Sequence, residues 1–317
     1  MKEKVLIFGR KLSEVLRTQD IYVMGMSCFY IVLSLVFFTS LTGAIPIILW
    51  NIFIICAVIM IALNAAKKDS VFIRVLGVFY CIPMVPIMFS QVFNFIGLVN
   101  PYDYDWLLIE WDRALFGVDP THVLLNYSSP FLTEITQFAY MLYFFHGIIL
   151  GIELYYDGRV REVHQLIRLT MFGFFVSYFL YFCMPAIGPR FTLHDYFLTN
   201  QELPGLWITE YARLFIDTGD GIPRGSLTPE KFVHRNCMPS GHTMMTLVNL
   251  LLVFRYGSRF KSLFFIFSVL LIFATVYQRY HYVVDVIAGI LCCFAVMWLE
   301  PRIHRYFVKK QWTIDIE

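Results

Sequence analysis

Charged residues are scarce in this chain. They make up 15% of its 317 residues, against 58% hydrophobic ones, and a mean hydropathy of +0.65 argues against an ordinary soluble domain. The net charge is only +2, and the absence of a basic stripe with interleaved stacking aromatics argues against a nucleic-acid partner. Cysteine offers no metal framework, because Cys28, Cys56, Cys81, Cys292 and Cys293 lie inside apolar runs without ligand spacing and read as small core residues. Cys183 and Cys237 fall nearer the translocated face, with no geometry to pair them. Repeats, low-complexity tracts and linkers are also missing, so one membrane domain is expected. The first apolar run is too long for a signal peptide and lacks a small-residue cleavage pattern. Residues 1–20 therefore read as a retained amphipathic segment, with Val5, Leu6, Phe8, Leu12, Val15 and Leu16 among Lys2, Lys4, Arg10, Lys11 and Arg17.

Long apolar runs are plentiful. Stretches of about 18 to 24 residues, enough to cross roughly 30 Å of hydrocarbon, occur near 21–40, 44–65, 74–98, 131–154, 165–186, 241–256, 261–278 and 282–300. They predict an all-α, polytopic bundle of about eight spans. Lys and Arg accumulate on cytoplasmic loops, and in this arrangement 18 of the 25 basic residues fall on one side. The other seven are Arg113, Arg190, Arg213, Arg224, Lys231, Arg235 and Arg279. Both termini are thus expected in the cytoplasm. Two long translocated loops follow, 100–130 and 187–238. In the first, Trp106, Leu107, Ile109, Trp111, Leu115 and Phe116 mixed with Asp105, Asp112 and Arg113 suggest an interfacial helix, serving as an anchor or as a lid for lipid access.

Chemistry concentrates on the translocated side. Pro239-Ser240-Gly241-His242 opens one apolar helix and His281 with Asp285 opens another. The separation of 39 positions from His242 to His281 allows one helix in and one back at ~20 residues each, so both imidazoles return to one face. The His-x-x-x-Asp spacing alone is common by chance; its coincidence with Pro-Ser-Gly-His on one face carries the signal. On a helix Asp285 lies one turn beyond His281, where it can accept the Nδ1 proton and leave Nε2 as a nucleophile. His242 would then serve as general acid and base. Ser240 and Gly241, at a helix start with free N–H groups, could cradle a phosphate, and Arg190, Arg279 and Arg235 could neutralise its oxygens. Neither a metal nor a cofactor is required.

These residues resemble the type 2 phosphatidic acid phosphatase superfamily of integral membrane phosphoryl-transfer enzymes. The resemblance covers about residues 74–300 as six core helices. It rests on Gly188-Pro189-Arg190, on Cys237-Met238-Pro239-Ser240-Gly241-His242-Thr243, and on the run from Arg279 through His281 and Asp285 to Gly289. It implies a phosphohistidine on His281, His242 as acid/base and Asp285 as the residue that orients the nucleophile. Two positions depart from the family pattern. Cys183 stands where the first motif usually carries a lysine, and Thr275 where the third usually carries an arginine, with Arg279 the nearest substitute. Together with the stretch from Asp112 to Pro120, the pattern looks more like the branch that includes inositol phosphorylceramide synthases. Water as acceptor would give a phosphatase, and an alcohol a headgroup transferase.

The expected organisation is an amphipathic segment at 1–20, two accessory helices at 21–73, a catalytic core at 74–300 and a cytoplasmic tail at 301–317. The partners expected are the bilayer, a lipid phosphate or diphosphate, and water or an alcohol. A polar stripe of Glu134, Gln137, Tyr140, Tyr143 and His146 along one span either bonds neighbouring helices or meets the substrate. Of these, Glu134, Tyr143 and His146 are candidate substrate contacts. His194 and His234 read as surface histidines. A catalytically inactive transporter or scaffold of the same fold is the remaining alternative.

Overall fold

The computed structural model describes residues 12–67 and 70–315. Val5, Leu6 and Phe8 of the expected amphipathic segment, with Lys2, Lys4, Arg10, Lys11 and Lys68, lie outside the described residues. Fifteen α-helices follow in order: α1 Thr18–Val36, α2 Ala44–Ala66, α3 Val71–Phe79, α4 Cys81–Val99, α5 Asp105–Phe116, α6 Pro120–Leu125, α7 Pro130–Met141, α8 Tyr143–Tyr156, α9 Val160–Cys183, α10 Pro189–Thr192, α11 Thr199–Glu202, α12 Thr209–Gly219, α13 Gly241–Arg255, α14 Lys261–Tyr277 and α15 Val283–Lys309. No strand occurs among the described residues, as the apolar periodicity predicts.

The expected eight spans need correction. By length and composition five helices can cross a bilayer: Thr18–Val36, Ala44–Ala66, Val75–Val99, Val160–Cys183 and Val283–Lys309. The pair α7 and α8, bent by 51°, makes a sixth if taken as one span. The helices at the other two expected positions are shorter, 15 residues for α13 and 17 for α14. At 1.5 Å per residue they reach only about 22 and 26 Å, short of the roughly 30 Å of hydrocarbon. Both runs are helical to within one residue, so the helices are short because the apolar runs themselves are short.

The chain divides into two compact units. The first comprises the chain up to Val99 with Asp157–Val176 and the residues from Ala295 onward. Here α1 packs against α2 and α4, and Leu49, Phe53 and Met60 of α2 stay exposed, a surface matched by lipid and not by water. Polar groups within this unit pair with each other. Asn51 Nδ2 donates to Gln91 Oε1 at 2.6 Å, and Tyr80 Oη donates to Asp20 Oδ1 at 2.5 Å. Arg168 Nε donates to Glu300 Oε1 at 2.9 Å, and Tyr22 Oη reaches the same oxygen at 3.2 Å.

The second unit holds Asn100–Tyr156 and Ser177–Phe294. It is built around α14, which packs against α7, α13 and α6, while α13 also packs against α8, and α12 against α7. All the sequence motifs fall inside it.

Breaking the buried pair in the first unit should be costly, because it strands a charge in an apolar interior. Glu300→Ala is expected to lower unfolding free energy by about 3–5 kcal/mol. The double change Arg168→Met with Glu300→Leu should recover most of that loss, as measured by unfolding in detergent.

Candidate active site

Both motif helices begin where backbone N–H groups lack intrahelical partners. At the start of α13, Ser240 Oγ accepts from the Thr243 N–H at 3.2 Å, and the Ser240 N–H donates to the Asp285 carbonyl at 3.1 Å. At the start of α15, the N–H groups of Val283 and Val284 donate to the Asp112 carboxylate at 3.0 and 2.8 Å. Asp105 accepts from the N–H groups of Ile187 and Gly188 at 2.9 and 2.8 Å and from Tyr282 Oη at 2.8 Å. Helix α5, expected as an interface anchor or lid, thus supplies two buried carboxylates that tie the Gly188-Pro189-Arg190 loop to the His281 loop. Burial pushes the Asp105 carboxyl up, and its two backbone N–H donors oppose that shift.

Two glycines permit the approach. Gly188 has φ +94°, and a Cβ there would lie 3.0 Å from the Tyr280 carbonyl oxygen. At Gly289 a Cβ would fall 2.6 Å from the Ser240 carbonyl oxygen, so α15 and the start of α13 meet only because position 289 has no side chain.

Between these loops lies a small pocket whose lining includes Tyr140, Arg190, Asp220, His234, His242 and His281. The ring centroids of His242 and His281 are 5.8 Å apart, close enough for both to reach one phosphoryl group. His281 Nδ1 is 3.4 Å from Asp285 Oδ2. The same oxygen accepts from the Tyr282 N–H at 2.9 Å and from Cys237 Sγ at 2.8 Å. Burial and the neighbouring Asp285 charge push the Cys237 thiol well up, so it remains a protonated donor. His242 sits between aromatic rings, 4.5 Å from Tyr140 and 4.2 Å from Tyr143 by centroid, with Tyr140 Oη 3.4 Å from its Nδ1. Among the described residues, Cys237, His281 and Asp285 form a group able to hold a metal ion, with ligand atoms within 4.8 Å of one another.

Arg190 lies in the pocket, 6% exposed, its guanidinium donating to Asp217 at 2.6 Å and Asp220 at 2.7 Å. The other two candidate arginines are committed away from the pocket lining. Arg279 donates to Glu202 at 2.5 Å. Arg235 donates to Asp103 and to the carbonyls of Asn100 and Tyr102. Arg279 also takes left-handed backbone, φ 65°, in the turn that carries the chain from α14 to His281.

Ser240 and Gly241 stand at the helix start beside His242, and a Cβ at Gly241 would lie 2.7 Å from Tyr181 Oη. Glu134 accepts from the N–H groups of Leu206, Trp207 and Ile208 and from Thr209 Oγ1, at 2.6 to 3.1 Å. Those four donors use its acceptor capacity to cap α12. His146 is buried, with its ring 5.4 Å from that of Phe264, and it does not line the pocket. Tyr143 reaches the site through His242. His234, expected at the surface, lines the pocket, and burial pulls its pKa down to about 3, so it is neutral at physiological pH. Sequence reasoning missed Asp220 and Asp217 and gave Asp105 and Asp112 no site role. For Asp105 and Asp112 the only sequence signal is a carboxylate beside aromatic residues, and Asp220 stands between two glycines.

The arrangement defines a helical membrane protein with two histidines and an arginine around one pocket and a buried aspartate beside one of the histidines. A model of the PAP2 superfamily matches residues 106–299, more than half of the chain, and the protein belongs to that superfamily. It is 24% identical over 208 residues to a PA-phosphatase related-family protein of Dictyostelium discoideum. That match covers 58% of this chain and 35% of the relative, so the chain spans about a third of the curated relative's length. No solved structure matches. Family membership points to phosphatase or phosphotransferase chemistry, and the apolar helices to an integral, multi-pass membrane protein.

Asp112 should matter through the helix it caps. Asp112→Ala leaves two buried N–H groups at the start of α15 unpaired and is expected to cost about 1–2 kcal/mol of stability, with Asp112→Asn losing less. Gly289→Ala should be worse for turnover than for folding, since it forces α15 off the Ser240 carbonyl. An activity assay beside thermal unfolding separates the two effects.

Proposed function

We propose that the protein cleaves a phosphate ester or diphosphate of a membrane lipid through a phosphohistidine on His281. The observation that carries the reading is the placement of His281 and His242 across one pocket that also holds Arg190. Asp285 accepts a hydrogen bond from the Nδ1–H of His281, which leaves Nε2 free to attack phosphorus. As the P–N bond forms the P–O bond to the leaving alcohol breaks, and His242 gives that oxygen its proton. In the second half, water or an alcohol surrenders a proton to His242 while its oxygen displaces His281. Arg190 and the N–H groups at the start of α13 stabilise the charge on the equatorial oxygens.

An apolar groove of about 450 Å³, lined by residues including Phe116, Val123, Phe273, Val283 and Val286, favours a lipid tail. Val283 and Val286 of that lining lie at the start of α15, the helix that carries Asp285. The charge bias of the loops favours an extracytoplasmic site with both termini in the cytoplasm, within a catalytic core at 74–300 and with 301–317 as the tail. Headgroup transfer to an alcohol, as in inositol phosphorylceramide synthases, uses the same first step and differs only in the acceptor.

The purified protein in detergent is expected to turn over lipid phosphates in EDTA, and His281→Ala to abolish this. His242→Ala should slow it by about 10²–10⁴-fold. Quenching wild-type turnover in base should trap a phosphoprotein that is labile in acid. Full activity in His281→Ala would sink the reading and favour an inactive scaffold, and loss of activity in EDTA would move the chemistry to a metal at Cys237, His281 and Asp285.

A further inference from the structure

Three groups around the Nδ1 edge of His281 make a donor set for a soft divalent cation. Cys237 Sγ lies 2.8 Å from Asp285 Oδ2 and 3.5 Å from His281 Nδ1, and that nitrogen is 3.4 Å from the same oxygen. Zinc bonds of about 2.0–2.3 Å at tetrahedral angles would separate sulfur, nitrogen and oxygen ligands by about 3.3–3.6 Å. Two of the three separations already match. The third is shortened by the S–H hydrogen bond and opens by about 0.7 Å once that proton leaves.

The ligands are held from outside the triangle. The Cys237 N–H donates to the Ala186 carbonyl at 3.1 Å, and Asp285 Oδ2 accepts from the Tyr282 N–H at 2.9 Å. All three side chains are buried. The second carboxylate oxygen, Asp285 Oδ1, is buried with no hydrogen-bond partner among the described residues, a costly state for an ion in an apolar interior. A cation would satisfy it. Asp105 and Asp112 add negative charge near Cys237 and Asp285. Of the nearby arginines, Arg190 is held by Asp217 and Asp220, Arg213 donates to Asn200 and Gln278, and Arg279 donates to Glu202.

We propose that Cys237, His281 and Asp285 form an inhibitory site for zinc or a similarly thiophilic divalent cation, which switches the nucleophile off while it is bound. The proposal rests on the phosphohistidine reading above and names a regulation of that site. Zinc takes the thiol as thiolate, whose proton goes to water, and with the Asp285 carboxylate the two negative charges cancel the two positive ones of the metal. The buried site is then neutral. Zinc also takes the Nδ1 lone pair of His281. The proton displaced from Nδ1 moves to Nε2, whose lone pair is thereby tied up in an N–H bond and cannot attack phosphorus. A fourth position stays open toward the pocket that Cys237 and His281 both line, for a water or a phosphate oxygen. Magnesium and calcium prefer oxygen ligands and are poorly served by a thiolate and an imidazole.

Binding is measured first, on the untagged wild-type protein in detergent with cobalt(II) as the probe. One cobalt per chain with a thiolate-to-metal charge-transfer band is expected, displaced by zinc and absent in Cys237→Ser. Turnover of a lipid phosphate should fall as buffered zinc rises and return on chelation, with no effect of magnesium. Cys237→Ser keeps a hydroxyl donor for Asp285 but loses the soft ligand, so its zinc midpoint, referred to its own zinc-free rate, should rise by about 10–100-fold or more. Zinc bound to lipid headgroups would instead inhibit both proteins alike. No charge-transfer band in folded wild-type protein, an unchanged midpoint in Cys237→Ser, or turnover that requires zinc overturns the proposal. Full activity of His281→Ala removes the phosphohistidine reading and the inhibition with it, whereas the cobalt spectrum still decides whether the three residues hold a metal.

Discussion

Backbone N–H groups at the ends of short loops need acceptors, and in this protein carboxylates supply them. Asp105 holds the loop that carries Arg190, Asp112 caps the helix that carries Asp285, and Glu134 gathers three N–H groups ahead of α12. Each is a buried charge whose desolvation cost is offset by several donors at once. Without them the loops around His281 and His242 would present unpaired donors in a buried setting. The position of the two imidazoles is therefore a consequence of where three acids sit on helices that carry no histidine of the site.

Carboxylates also hold the three candidate arginines. Arg235 and Arg279 serve the loops, held by Asp103 and Glu202, and only Arg190 remains at the pocket, itself between two aspartates. A buried guanidinium without a counter-charge would be far costlier than one with two. The outcome is a pocket that is preorganised and sparing in charge. Aromatic rings take over some of the positioning: Tyr140 stacks on both His242 and Tyr280, and the Arg190 guanidinium lies 5.0 Å from the Tyr280 ring centre.

Much of this was legible in the sequence. Composition and apolar runs indicated an all-α membrane protein, and the Pro-Ser-Gly-His and His-x-x-x-Asp motifs indicated two histidines on one face. The count of spans differed, because the apolar runs at 241–256 and 261–278 are themselves short, and α13 and α14 fill them to within one residue without reaching the length of a full crossing. Glu134 and His146 looked alike on one polar stripe, yet the first caps another helix and the second packs beside Phe264. Periodicity reports a shared face, and what that face meets depends on a segment about 70 residues away.

The sequence by itself determined the helical class, the membrane setting and the residues of the histidine pair, since length, hydropathy and motif spacing are local properties of the chain. Only the tertiary structure decided which arginine reaches the pocket, that Asp217 and Asp220 hold it, that Cys237 donates to Asp285, and that α5 clamps the two motif loops. These depend on contacts between residues 27 to 177 positions apart. A charge's partner is chosen by packing and desolvation, which no spacing along the chain encodes.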